Sequence, residues 1–361
     1  MNKIVMTMPI KPQKETNIGM YIAPTLMNVL SDVLACDNTM AINLLNTYKD
    51  KTEELSIFLN DLNRQGIKYN NLFIDNEHTE EILLLIEKLV SDGFIQKSNE
   101  EVFRCDCGKV DILKQGINPS VNKLYYEKNN EYYCKNCGTE CKSFKEEVLT
   151  LELPKDIDDS LLIVPTFLKN DANHLSKTFK GSKLLVSKQR DTGHQITVNN
   201  KTFNIDVDFI WTNYFRLFDN EQIIMLASNH QTYQMYLLNY LNRIISGNEI
   251  CFVANPYMNQ PKDLKPLEKY EKTSDEIYKK LFILYNLKWR NKNCEWSNSV
   301  IDYLSNISTT RRNNLYKVIQ CCGKKFDESK MPTDLYLENI LQKGINMQTN
   351  IPASKKLVKK L

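Results

Sequence analysis

Two close cysteine pairs are the residues whose type and spacing point most directly to chemistry. Cys105-Asp106-Cys107-Gly108 and Cys134-Lys135-Asn136-Cys137-Gly138 each set two thiols just ahead of a glycine, and Cys141 stands beyond the second pair. Two such knuckles can bring four thiolates tetrahedrally onto one metal, and soft sulfur ligands at this spacing suit Zn²⁺. With Cys105, Cys107, Cys134 and Cys137 as ligands, or Cys141 replacing one, no position is left for water, so the zinc is expected to be structural. The alternative is a set of reduced cysteines that hold no metal. Leu124, Tyr125, Tyr126, Tyr132 and Tyr133 are β-prone and predict a hairpin carrying the second knuckle.

A second candidate lies at the amino terminus. Ile4 to Met8 is a short apolar run ended by Pro9, as in a buried parallel strand. A polar loop with Pro12 and Lys14 follows. Pro24 suits a first helical turn, and Leu26, Val29, Leu30, Val33 and Leu34 recur at helical spacing. A strand, a turn containing Gly19 and a helix form a nucleotide site in many doubly wound folds. There the helix start offers N–H groups to phosphate, and glycine lets the backbone come close.

The remaining elements must position these residues. Asp37-Asn38 predicts a turn and residues 40–45 a second buried strand. Residues 51–65 predict a helix with Leu55, Phe58, Leu59 and Leu62 on one face, opened by Asp50 or Thr52 and closed by Gly66. Ile82, Leu83, Leu85, Ile86, Leu89 and Val90 mark another, with His78 in a solvated loop before it. Residues 147–153 alternate as a strand, 160–179 have helical spacing broken by Pro165, and 183–188 read as a strand. Residues 222–227 and 249–254 are buried strands flanking a helix over Thr232–Ile245; helices at 300–307, 315–321 and 335–341 follow. The order predicts an α/β fold. Its core is a Rossmann-like parallel sheet with helices on both faces, carrying an inserted zinc-knuckle module and a short helical C-terminal region. The expected divisions are 1–97, 98–150, 151–270 and 271–361.

Of the 361 residues, 42% are hydrophobic and 25% charged, which leaves room for a real core. A net charge of +3 is too weak to argue for nucleic acid by itself. No apolar run reaches the ~18 residues of a membrane span, and Pro9 and Lys11 interrupt any signal-like segment. Ten cysteines, half of them between Cys105 and Cys141, fit a metal site in a reducing compartment, so the expected location is the cytoplasm. The Asn-rich texture, as at Lys128-Asn129-Asn130, reads as mutational bias.

Asn17-Ile18-Gly19-Met20 resembles the His-Ile-Gly-His signature of class I aminoacyl-tRNA synthetases, the methionyl branch most closely. Pro9 and Pro12 on the approach, and Ala23-Pro24 just after, belong to the resemblance. A second register, with Tyr21-Ile22-Ala23-Pro24 on the signature, aligns Asp32 better but loses the glycine, so the first is preferred. In that family the two histidines contact ATP phosphates and stabilise the transition state of adenylate formation; the matching positions here are Asn17 and Met20. Thr47 matches a strand-end motif that contacts the adenylate, with a plain helix cap as the alternative. The passage 67–109 is similar to the region leading into the family's connective insertion, which carries a comparable zinc knuckle. Ser187-Lys188 and Thr192-Gly193 fall where the family has a Ser-Arg strand and a Trp-Gly, and residues 207–214 resemble its Val-Trp-Phe-Asp segment. Ser228-Asn229-His230-Gln231 occupies the place of Gly-Lys-Asp-Asn, which contacts ATP ribose and the amino acid. Lys262 and Lys265 stand where the Lys-Met-Ser-Lys-Ser loop would close on triphosphate.

The resemblance thus implies ATP contacts at Pro9, Asn17, Gly19, Thr47 and Asn229, and catalytic positions at Asn17, Met20, His230, Lys262 and Lys265. It implies an amino acid or aminoacyl-adenylate as ligand, with tRNA or a protein as a further partner and no membrane. Arg311-Arg312 and the lysines at 355–360 are either RNA contacts or solvated helix ends. Both electrostatic signatures are eroded, and each such donor is worth on the order of 3 kcal/mol in the transition state. The first reading is therefore a diverged synthetase paralogue in an accessory role without normal tRNA charging. A second is an ATP-dependent amino-acid-activating ligase in small-molecule biosynthesis. A third is a zinc-ribbon interaction protein.

Overall fold

The computed structural model describes residues 3–14, 17–45, 51–105, 107, 110–111, 125–135, 137–156, 160–188, 193–218, 222–245, 249–259, 265–288 and 291–321. The first half runs β1 (Lys3–Thr7), α1 (Ile22–Leu34), β2 (Asp37–Ile42), α2 (Thr52–Arg64), β3 (Asn71–Ile74) and α3 (Thr79–Ser91). The chain then departs through β4 (Ile95–Arg104), β5 (Val110–Asp111), β6 (Tyr125–Lys128), β7 (Glu131–Cys134) and β8 (Lys142–Glu152). It returns by β9 (Leu162–Val164), α4 (Lys169–Phe179), β10 (Lys183–Leu185), β11 (Gln195–Val198), β12 (Lys201–Asn204) and α5 (Val207–Thr212). The second half is β13 (Gln222–Ser228), α6 (Thr232–Ile245) and β14 (Glu249–Asn255). Last come β15 (Tyr257–Asn259), α7 (Lys265–Lys272), α8 (Glu276–Asn286), β16 (Asn293–Glu295), α9 (Asn298–Asn306) and α10 (Thr309–Cys321).

Six strands make the main sheet in the order β3-β2-β1-β13-β14-β9, every neighbour parallel. Side chains alternate between two cores, as the two-residue period of a strand requires. Val5, Ile224, Leu226, Cys251 and Val253 face α1 and the C-terminal helices. Ile4, Met6, Ile223, Met225 and Phe252 face α3, α5 and α6. With both faces covered, the strands read as continuous apolar runs. β2 and β13 leave β1 on opposite sides, so a crevice opens at the carboxyl ends of β1 and β13.

Several expectations change. Asp37-Asn38 is not a turn but the start of β2. Asn38 is buried there because its amide is fully used: Nδ2 donates to Ser31 Oγ at 2.7 Å, and Oδ1 accepts from Asn70 N at 2.9 Å. Residues 162–164 are a strand, paired with Cys251–Val253, and only 169–179 are α-helical. A short apolar run buried on both sides has no periodicity to separate it from a helix. His78 is not simply solvated, since its ring stacks on Phe73 at 4.6 Å. Asn129-Asn130 and Asn199-Asn200 all have positive φ and turn the hairpins β6–β7 and β11–β12. Asparagine tolerates that conformation better than other side chains, so these pairs have a local structural reason. The segment 335–341 lies outside the described residues.

A second, antiparallel sheet has the order β10-β8-β4-β5. Its spine pairs β4 with β8 from Ile95↔Leu151 to Arg104↔Lys142, and the cysteine knuckles sit at its far end. Among the described residues, no helix is long and apolar enough to cross a membrane.

Candidate functional site

At the carboxyl edge, Met8 N still donates to Leu226 O at 2.7 Å, holding the chain beside β13 up to Pro9. Ile10 N then donates to Ala41 O at 2.9 Å and leads the segment along the end of β2. Asn17 is exposed and extended (φ −98°, ψ 154°), immediately before a 3₁₀ turn over Ile18–Tyr21 that runs into α1. Its carbonyl accepts from Met20 N at 2.9 Å. A Cβ on Gly19 would lie 2.9 Å from Asn17 Oδ1, so the glycine is what lets the Asn17 amide lie over the turn. Met20 is half-buried against the α1-side core. An amide can donate and accept hydrogen bonds, whereas a thioether has no proton to give.

Across the crevice, β13 ends in a capping box. Ser228 Oγ accepts from His230 N, and Gln231 Oε1 accepts from Ser228 N at 2.9 Å. Asn229 is buried; its Nδ2 donates to Lys292 O at 2.6 Å while Oδ1 has no partner among the described residues. His230 is exposed and stacks on Tyr257 of β15, with ring centroids 4.6 Å apart. Pro9, Asn17, Gly19, Met20, Asn229 and His230 therefore lie at the same edge of the sheet, around its switch point. Thr47 and Lys262 lie outside the described residues, as does Thr192. Lys265 opens α7, and its side chain is likewise outside the description.

Asp75, at the end of β3, went unnoticed in the sequence because an acid between Ile74 and Asn76 looks like any loop residue. Its Oδ1 accepts from Leu44 N at 2.7 Å and Leu45 N at 3.1 Å, fastening the end of β2 to that of β3. Tyr214 donates its hydroxyl proton to the Asp75 carbonyl. Burial pushes the carboxyl pKa up from 3.8 to about 6, against the pull of the backbone N–H groups.

The four knuckle cysteines converge. Sulfurs of Cys105, Cys107, Cys134 and Cys137 lie within 4.8 Å of one another, a set that can hold a metal ion. Cys107 Sγ is 3.7 Å from Cys134 Sγ, close to the roughly 3.8 Å edge of a tetrahedron with Zn–S bonds of about 2.3 Å, and 3.0 Å from Cys105 Sγ, a pair that must open slightly around an ion. The Thr139 hydroxyl, 2.9 Å away, and the Thr139 N–H lower the Cys137 thiol to about 6. Cys141 stays outside this set, packed on Cys105 and Cys134 beside Phe103 and Tyr132. Burial, then the neighbouring thiols, push its thiol up to about 12. Four soft thiols in a tetrahedral-sized cluster fit a closed structural metal centre.

Arg312 is not a free basic group for RNA. Its guanidinium donates to Asp275 Oδ2 at 2.8 Å and to the carbonyls of Leu304 and Ile307 at 2.9 and 2.7 Å.

No protein-family model and no curated protein matches the chain. Solved structures of Mycobacterium tuberculosis methionyl-tRNA synthetase are similar. One bound by methionyl-adenylate has a TM-score of 0.63 at 12% identity, over 89% of this chain and 71% of that one. The free-state form has a TM-score of 0.63 at 15% identity, over 89% and 68%. At such identity the likeness is one of fold: this chain has a class I aminoacyl-tRNA synthetase-like architecture.

Proposed function

We propose that this chain is a diverged methionyl-tRNA synthetase paralogue that keeps the adenylate-forming fold and a ligand crevice, without normal tRNA charging. It binds an amino acid or aminoacyl-adenylate in an accessory role, with RNA or a protein as a further partner, in the cytoplasm. The observation that carries the reading is the pairing of this fold with Asn17 and Met20 at the turn into α1. Catalysis is preferential stabilisation of the transition state, and neither side chain brings the positive charge that developing phosphate charge needs. Asn17 donates one neutral hydrogen bond, Met20 none. When bound, ATP would supply the leaving pyrophosphate. The chain's own part is orientation, by Asn17 over Gly19 and by Asn229 and His230 at the start of α6. We assign structural zinc to Cys105, Cys107, Cys134 and Cys137, and retain the division at 1–97, 98–150, 151–270 and 271–361.

A second reading, an ATP-dependent amino-acid-activating ligase, is favoured by Asn229, whose buried Oδ1 waits for a donor at the crevice. ATP–pyrophosphate exchange on zinc-loaded protein, with a panel of amino acids including methionine, separates the two. The expected outcome is no exchange above background, together with binding of a non-hydrolysable methionyl-adenylate analogue that weakens on Asn229→Ala. Exchange with any one amino acid would overturn the first reading and establish the second.

A further inference from the structure

A cleft of about 800 Å³ opens on the edge of the main sheet opposite the crevice. Its walls come from Lys3 at the start of β1, the last turns of α1, Asp37 at the start of β2 and residues 68–70 ahead of β3. The length of the strands, roughly 15–20 Å, separates it from Asn17 and His230. This is a different site, and the argument for it does not depend on the adenylate reading.

The walls carry charges of both signs. Asp32 and Asp37 stand at the end of α1 and just beyond it, where the final helix carbonyls add partial negative charge. Tyr316 on α10 donates its hydroxyl to Asp32 Oδ2 at 3.0 Å, and the buried Lys280 ammonium also faces this carboxylate, so Asp37 carries the less compensated charge. Lys3 and Lys68 bring two ammonium groups to the same cleft, and Tyr69 adds a half-buried ring. Asn28 also lines it. That side chain is only 4% exposed, and its Oδ1 has no hydrogen-bond partner among the described residues. A buried acceptor left unpaired is costly, and a donor on a ligand recovers that cost.

These groups select among ligands. A polyphosphate would be drawn to Lys3 and Lys68, but its several charges would also meet two aspartates and a helix carboxyl end, which repel it. An apolar ligand would strip water from charged walls without replacing its hydrogen bonds. A zwitterion satisfies both sides: its ammonium is drawn to Asp32, Asp37 and the helix carbonyls, its carboxylate to Lys3 and Lys68, and an N–H can reach Asn28. The volume falls in the range of small-molecule sites and is generous for a single amino acid. We propose that this cleft binds a short zwitterionic peptide through its two termini.

Triglycine, N-acetyl-triglycine and triglycine amide are the probes, titrated against the full chain by calorimetry. Triglycine is expected to bind, and each capped form to bind about tenfold more weakly, the loss of one charge-assisted hydrogen bond. Asp32→Asn/Asp37→Asn should abolish discrimination against the acetylated peptide, and Lys3→Met/Lys68→Met discrimination against the amide. Asn17→Ala/His230→Ala should leave triglycine affinity unchanged; a loss there would move binding to the carboxyl-edge crevice and overturn the proposal. Equal binding of all three peptides, or none at millimolar concentration to protein with an intact unfolding transition, would overturn it as well.

Discussion

Asp75 shows how one side chain can link the ends of two strands at a cost that depends on pH. Its carboxyl pKa is raised from 3.8 to about 6 by burial, so the folded state prefers the protonated form. That contribution is complete below the unfolded value and is lost as pH rises through about 6. At neutral pH that stabilisation, about 3 kcal/mol for a pKa raised from 3.8 to about 6, has been lost. Asp75→Asn keeps an oxygen for the Leu44 and Leu45 N–H groups and removes the charge. Its expected effect is equal or greater stability at about pH 7.5 and a flatter profile between about pH 4 and 6, read from denaturant midpoints. A variant less stable than the parent at neutral pH would mean that the carboxylate has an unseen cationic partner. The cysteines make a second case at this scale. Cys134→Ser should lower bound zinc from about one per chain to near zero by elemental analysis, while Cys141→Ser leaves it in place. Loss of zinc from Cys141→Ser would put Cys141 among the ligands.

Among the elements, α8, α9 and α10 are joined by one guanidinium. Asp275 caps α8 by accepting from Tyr278 N at 2.9 Å, and the same carboxylate holds Arg312. Nη1 of Arg312 donates to both carbonyls, of Leu304 and Ile307, at the end of α9, where a cation also complements the helix dipole. Arg312→Ala strands all of these groups at once and should cost about 3 kcal/mol in chemical unfolding. Arg312→Lys should recover little, because an ammonium cannot span three helices as the planar fork does. A change below about 0.5 kcal/mol for Arg312→Ala would show that the network is surface decoration.

In the whole molecule, the helices after β14 are not an appendage. Tyr278, Phe282, Tyr285, Trp296, Val300 and Leu304 share one core with Leu26, Leu30 and Val33 of α1. Phe282 stacks with Trp296 and packs on Tyr270, both with centroids 5.3 Å away. A chain ended after Lys272 would leave the α1 face of the sheet open to water. It is expected to lose its cooperative unfolding transition and to expose apolar surface to dye. A sharp transition in that truncated chain would make the C-terminal helices an independent unit.

The sequence by itself determined what depends on neighbours along the chain. The helix expected over Thr232–Ile245 matches α6 to the residue, and Ile4–Met8 ahead of Pro9 marked β1 within one position. The cysteine spacing picked out the four sulfurs that converge, because two tight knuckles are short-range objects. The tertiary structure alone decided everything that rests on partners far apart in sequence. Asn38 is a strand residue only because Ser31 and Asn70 take its amide. Residues 162–164 are a strand only because β14 offers an edge. Asp75 and Arg312 gain their roles from backbone groups they meet through folding, and the lysines and aspartates of the second cleft come from four separate segments. Hydrogen-bond satisfaction and burial are properties of the folded neighbourhood, and local periodicity carries no record of which groups will meet.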